Sequence, residues 1–228
     1  MNKIYLKAAG KIGIVEETKL EPAFEQGIKK VETYRLAVDC VLDGLEAIMQ
    51  PNHKIVETGA IVAPPGQNPH ELMATACTKM KRFLGNNEQA RIEIVINSMN
   101  KMGEAERSSQ TKGRAAIRRL RRFVTVDNQQ MKEDMDKMKE WLVTMDAARH
   151  EVKNTKTKEE LEEKGMFYHK SVKAFNDQAS KIQVVIDELP MTIFTNQREI
   201  VKFFAQREKF HTSASDIMKD ALKHLPKK

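Results

Sequence analysis

Apolar residues recur along this chain in an unbroken three-four rhythm, for longer than an ordinary globular helix lasts. The longest seam runs Val172, Phe175, Ala179, Ile182, Ile186, Leu189, Ile193, Ile200, Phe203, Phe210, Ala214 and Ile217. A seam of period 3.5 held over about seven heptads must keep one helix face on a partner. Two more seams precede it. One is Leu20, Phe24, Ile28, Val31, Val38, Leu42, Leu45 and Met49. The other is Ile117, Leu120, Val124, Met131, Met135, Met138, Leu142 and Met145. Gly (10) and Pro (7) are scarce among 228 residues, so the reading is all-α. Aromatics at 6% argue against a wide core and for long helices sharing a narrow seam.

The punctuation predicts three long helices. The first spans 17–50 and stops at Pro51, which cannot continue the ladder. Residues 51–69 hold four prolines and read as a loop or kink, followed by a short helix at 70–84 that closes at Gly85. The second long helix covers 87–154, with Gly103 and Gly113 as the places for a bend. Thr157 and Glu160 form a capping box that opens a third helix at 157–224, which Pro190 should kink. Helices of about 65 residues reach close to 100 Å. One hairpin cannot bury its own seams over that length, so a homodimer of two three-helix units is expected.

Net charge is +7, which suggests an anionic partner, nucleic acid or acidic lipid. Two cysteines, Cys40 and Cys77, have no metal-like spacing and read as reduced thiols of a cytosolic protein. No apolar run of about 18 residues spans a bilayer, and the N-terminus lacks a secretory signal. Membrane contact is expected to be peripheral. The six histidines have no metal spacing, and no nucleophile set or Gly-rich phosphate loop is present. Neither enzyme, metal nor cofactor is expected. Methionines such as Met131, Met135 and Met138 fall at seam spacing and read as core filler.

Several short motifs lie in order along the helices. They are Glu16–Phe24 (EETKLEPAF), Met49-Gln50-Pro51-Asn52, Leu120–Val124 followed by Asp127, Met145–Arg149 (MDAAR), and Phe204-Ala205-Gln206 with Phe210-His211. Together they resemble the BAR domains, and among them the endophilin-like N-BAR group, over nearly the whole chain. That resemblance implies a crescent-shaped antiparallel homodimer, a long kinked three-helix coiled coil that binds and bends anionic membranes. The chain departs from the group in two respects. Residues 51–69 are shorter and richer in Pro than its usual insert helix, and no Src-homology 3 domain follows. The expected organisation is an N-terminal segment, 1–15, and a BAR domain, 16–225.

Three basic groups are candidate membrane contacts. The densest is Lys112, Arg114, Arg118, Arg119, Arg121 and Arg122, with no acid between 107 and 126. A solvated face usually alternates signs to make i, i+4 pairs, and this one does not. The resemblance places it on the concave surface. Pairing with acids of an opposing subunit, Glu104 or Glu106, is the alternative. The second group, Arg149, Lys153, Lys156 and Lys158, would sit at the tip of the domain, where a solvated turn is an equal reading. The third is N-terminal: Lys3, Lys7 and Lys11 on one helix face, with Tyr5 and Ile12 opposite and Leu6 at the boundary. It reads as an inserting amphipathic wedge or a disordered tail.

The leading function is therefore a curvature-sensing or curvature-generating membrane protein of trafficking or endocytosis, cytoplasmic and peripheral on anionic phospholipid. A scaffold binding a small GTPase or another BAR protein is the alternative. Nucleic acid ranks last, because no stacking aromatics accompany the arginines until Phe123.

Overall fold

The computed structural model describes residues 16–225, and the regular elements among them are helical. In chain order they are α1 (Pro22–Met49), α2 (His53–Val56), α3 (Pro69–Lys81), α4 (Asn86–Ala116), α5 (Arg118–Arg122), a π-helical turn (Phe123–Asp127), α6 (Asn128–Lys153) and α7 (Lys158–His224). The chain forms two compact units. One holds residues up to Val38 and Arg122–Ile193, the other Asp39–Arg121 and Phe194 onward.

In the first unit the three seams meet. Met131, Met138 and Ile182 are buried, with Phe24, Ile28, Met135, Phe175 and Ile186 packed on them. Gly27 sets the closest approach of α1 to α7, because a Cβ there would lie 2.8 Å from the Ile186 side chain. The buried Gln178 donates to the Asp134 carboxylate at 2.5 Å, which ties α7 to α6 without leaving either polar group orphaned. Two of the short motifs prove to be one structural joint. Asp146 of MDAAR is buried and accepts from the Thr18 amide (2.8 Å) and hydroxyl (2.6 Å). That joint fixes the segment leading into α1.

In the second unit Met49, Ile117, Leu120 and Phe203 are almost wholly buried. The proline-rich stretch is more ordered than a plain loop. Asn52 caps α2, Asn68 caps α3 and Pro69 occupies its first turn. Gly59 (φ 77°) and Gly66 (φ 74°) supply the left-handed turns between them. Arg107 of α4 then holds the stretch down. Its guanidinium donates to the carbonyls of Ala63 and Pro64 and, at 2.7 Å, to both carboxylate oxygens of Glu71. Gln110 donates to the Met49 carbonyl at 3.0 Å, satisfying the frayed end of α1.

The structure also locates the break in the second long helix. The second long helix is continuous through Gly103 and Gly113, which are both buried within α4. Gly113 serves packing instead: a Cβ there would meet Met49 Sδ at 2.7 Å and Phe203 at 3.4 Å. The break falls at Ile117 (φ −105°, ψ 23°), and the π-helical turn begins at Phe123. Pro190 is carried inside α7, which runs unbroken for 67 residues. The α3 helix ends at Lys81 rather than 84, and α1 starts at Pro22 rather than 17. The Thr157 hydroxyl accepts from the Glu160 amide at 3.4 Å, as a helix-opening cap should.

Candidate functional site

The break at Ile117 leaves the first amides of α5 without helical partners. Glu199 of α7 supplies one, its Oε2 accepting from the Arg119 and Leu120 amides at 2.9 Å each. This buried carboxylate fixes α5 against α7 within the second unit and so fixes where the arginines of α5 point.

The six-residue basic cluster is divided between the two units. The unit boundary falls between Arg121 and Arg122. Arg122 lies in the first unit and pairs with Asp127 at 3.2 Å. Arg121 pairs with Glu46 of α1. Arg114 donates to the Gly59 carbonyl at 2.8 Å, bracing the turn after α2. Arg114, Arg118 and Arg121 share a hollow of about 280 Å³ with Ile61, Thr111 and Ala115. Lys112, Arg118 and Arg119 are exposed and form no ion pair among the described residues. Within the chain, Glu46 and Asp127 are the acids paired with the cluster. Glu106 is engaged elsewhere, accepting from Asn68 at 2.6 Å and facing His70 at 3.8 Å.

Arg119 faces another way. With Thr195, Arg198, Glu199 and Lys202 of α7 it lines a cup of about 310 Å³. The α7 residues were not legible as site residues, because they join Arg119 only once α5 and α7 are packed. The available signal was the like-charged pair Arg198 and Lys202 at i, i+4, which an ordinary helix surface avoids.

At the other end of the first unit, half of the tip cluster is neutralised. Lys153 pairs with Glu16 at 2.6 Å. Arg149 donates to the Glu16 carbonyl and pairs with Asp146 at 3.0 Å. The hydrogen bond from Lys153, and then its charge and that of Arg149, hold the Glu16 carboxyl below its ordinary value. Lys156 and Lys158 stay exposed, with no ion pair among the described residues. Lys3, Tyr5, Leu6, Lys7, Lys11 and Ile12 lie outside the described residues.

The first unit also carries an open hollow of about 710 Å³, floored by Ile28, Val31, Phe123, Met131 and Leu189. Narrow helical seams seldom leave such a space, yet this one does. Its charged lining is Glu25, Glu32, Asp127, Asp134 and Glu188 against Lys29, Arg35 and Lys132, without histidine or cysteine. Among the described residues, no helix is long and apolar enough to cross a membrane.

The described residues thus form long helices with basic side chains left exposed beside the joints. The BAR domain model matches residues 1–227, and the chain belongs to the BAR domain family. Members of that family are non-catalytic structural modules that typically dimerise and associate with curved membranes. A comparison with characterised proteins returns no match to this sequence.

Proposed function

We propose that this protein is an endophilin-like N-BAR module, working as a homodimer at the cytoplasmic face of anionic membranes and sensing or generating their curvature. The observation that carries the reading is the exposed trio Lys112, Arg118 and Arg119, cationic and unpaired among the described residues. Each basic side chain near an anionic surface contributes about 1 kcal/mol. Arg114, Arg121 and Arg122 belong to the same stretch of sequence but brace the fold through Gly59, Glu46 and Asp127. Lys156 and Lys158 extend the adhesive surface at the tip, with Arg149 and Lys153 held back by Asp146 and Glu16. Residues 1–15 (Lys3, Tyr5, Leu6, Lys7, Lys11 and Ile12 among them) act as the amphipathic wedge ahead of the domain at 16–225.

The dimer reading is supported by apolar surface in the second unit. Phe83 is 77% exposed, and Leu72, Met73 and Met80 of α3 are exposed with it. On α7, Phe194, Val201 and Phe204 are each more than half exposed, on a different stripe from the buried Phe203 and Glu199. Apolar surface of this extent marks an interface.

The test is co-sedimentation with phosphatidylserine vesicles. Reversing the trio (Lys112→Glu, Arg118→Glu, Arg119→Glu) should weaken binding more than about 100-fold, with helix content unchanged by circular dichroism. Undiminished binding by that variant removes the trio from the membrane surface.

A further inference from the structure

We infer that the open hollow of the first unit is the docking site for this chain's own residues 1–15, which occupy it when no membrane is present. The inference rests on the wedge reading of that segment and adds its regulation. The hollow of about 710 Å³ is walled by α1, by α6 with the π-helical turn, and by α7, all within one unit. Its floor is apolar at Val31, Phe123, Met131 and Leu189. A concave apolar surface of this size is a site for an apolar occupant.

Tether and length point to the N-terminal segment. The described chain begins at Glu16, which pairs with Lys153, while the neighbouring Thr18 holds Asp146. From Asp146 back to Met131 in the hollow is about 22 Å along α6. The near edge of the hollow, Glu25, lies in the first turn of α1. The stretch from Tyr5 to Glu16 reaches up to about 36 Å when extended, so it spans the gap. Along α1 the hollow runs from Glu25 to Arg35, about 15 Å. A helical turn-and-a-half from Tyr5 to Ile12 covers about 10 Å, so Tyr5, Leu6 and Ile12 fit within it.

Charge points the same way. The segment carries Lys3, Lys7 and Lys11 and no acid. The hollow is lined by five carboxylates against three cations. Glu32 and Arg35 pair with each other at 2.8 Å, and Asp127 takes Arg122 from outside the lining at 3.2 Å. One carboxylate remains in excess. Glu25 and Glu188 are exposed and form no ion pair among the described residues. So small a surplus orients the lysines toward the rim, and apolar contact supplies most of the affinity. Tethering gives the segment an effective concentration of about millimolar, an advantage that a second copy lacks. Docking and bilayer insertion use the same apolar face, so each excludes the other. An anionic surface outcompetes the weakly acidic rim for the lysines, which couples release of the wedge to adhesion.

The test reads the segment directly. Tyr5→Trp in a Trp141→Phe background moves the chain's one tryptophan into it. Acrylamide quenching is measured without lipid, for the full chain and for the matching 1–15 peptide. The full chain should be quenched at least about threefold less than the peptide, and should stay so over about a hundredfold dilution. Glu188→Lys with Thr192→Arg sets two cations on the α7 wall of the hollow. It should raise quenching to the peptide's level, with helix content unchanged by circular dichroism. Gln183→Arg with Asp187→Lys adds the same charge on the opposite side of α7, outside the lining, and should keep the protection. Co-sedimentation of the reporter chain with phosphatidylserine vesicles is measured in parallel.

A full chain quenched as readily as the peptide overturns the docking, and sedimentation with the vesicles then leaves adhesion standing. Protection that survives in the Glu188/Thr192 variant overturns the hollow as the site. Protection lost on dilution assigns the contact to a second copy and overturns docking within one chain. The expected quenching pattern without vesicle binding supports the docking and overturns the adhesion reading.

Discussion

Charged residues in this chain divide into those that brace joints and those left over, and the bracing set is defined by its partners. Arg107 shows the first kind. It holds Glu71 and two carbonyls of the proline-rich stretch, and Glu71 also accepts from the Gly66 amide at 2.8 Å. The hydrogen bond from Arg107, ahead of its charge, draws the Glu71 carboxyl below its ordinary value. A lowered folded value means that this stabilisation is complete above the ordinary glutamate value of about 4.3 and is lost as pH falls through the folded one. Urea unfolding between pH 6 and pH 3 should therefore show a fall in stability below about pH 4.3 that Glu71→Gln makes shallower. An unchanged pH slope in that variant would deny the pair its role. Asp146 braces the first unit in the same manner, and Lys112, Arg118 and Arg119 are the residue-scale remainder.

At the scale of elements, the glycines report how closely the helices approach. Gly113→Ala places a methyl against Met49 and Phe203, both nearly wholly buried, and should cost about 1–3 kcal/mol by overpacking. Gly165→Ala, with nothing within 4 Å of the added Cβ, should stabilise α7 by up to about 1 kcal/mol. Denaturant midpoints of the two variants moving in the same direction would contradict this packing. These residues also show where the sequence was legible. The three seams identified α1, α6 and α7 because burial repeats at the helical period. The packing role of Gly113 was not legible because sequence spacing cannot tell a flexible position from a close helix contact. The break at Ile117 was hidden because Glu199, which accepts from the amides the break frees, stands more than 80 residues away in the chain. The basic cluster was visible as composition. Its division was not, since Glu46 and α7 reach it only through the fold.

For the whole molecule, membership of the BAR family and the exposed stripe on α7 predict a dimer. Val201→Asp with Phe204→Asp should shift sedimentation from dimer to monomer at micromolar concentration, and an unaltered dimer would place the interface elsewhere. Adhesion through unpaired lysine and arginine must also be salt-sensitive, because screening shortens to about 3 Å at 1 M ionic strength. The most direct measurement is co-sedimentation of the wild type and the Lys112/Arg118/Arg119 reversal with phosphatidylserine and phosphatidylcholine vesicles, at low and at 1 M salt. The account predicts wild-type binding to the anionic vesicles alone, lost at high salt and lost in the variant. Equal binding to neutral vesicles, or anionic binding that persists through both changes, would contradict it.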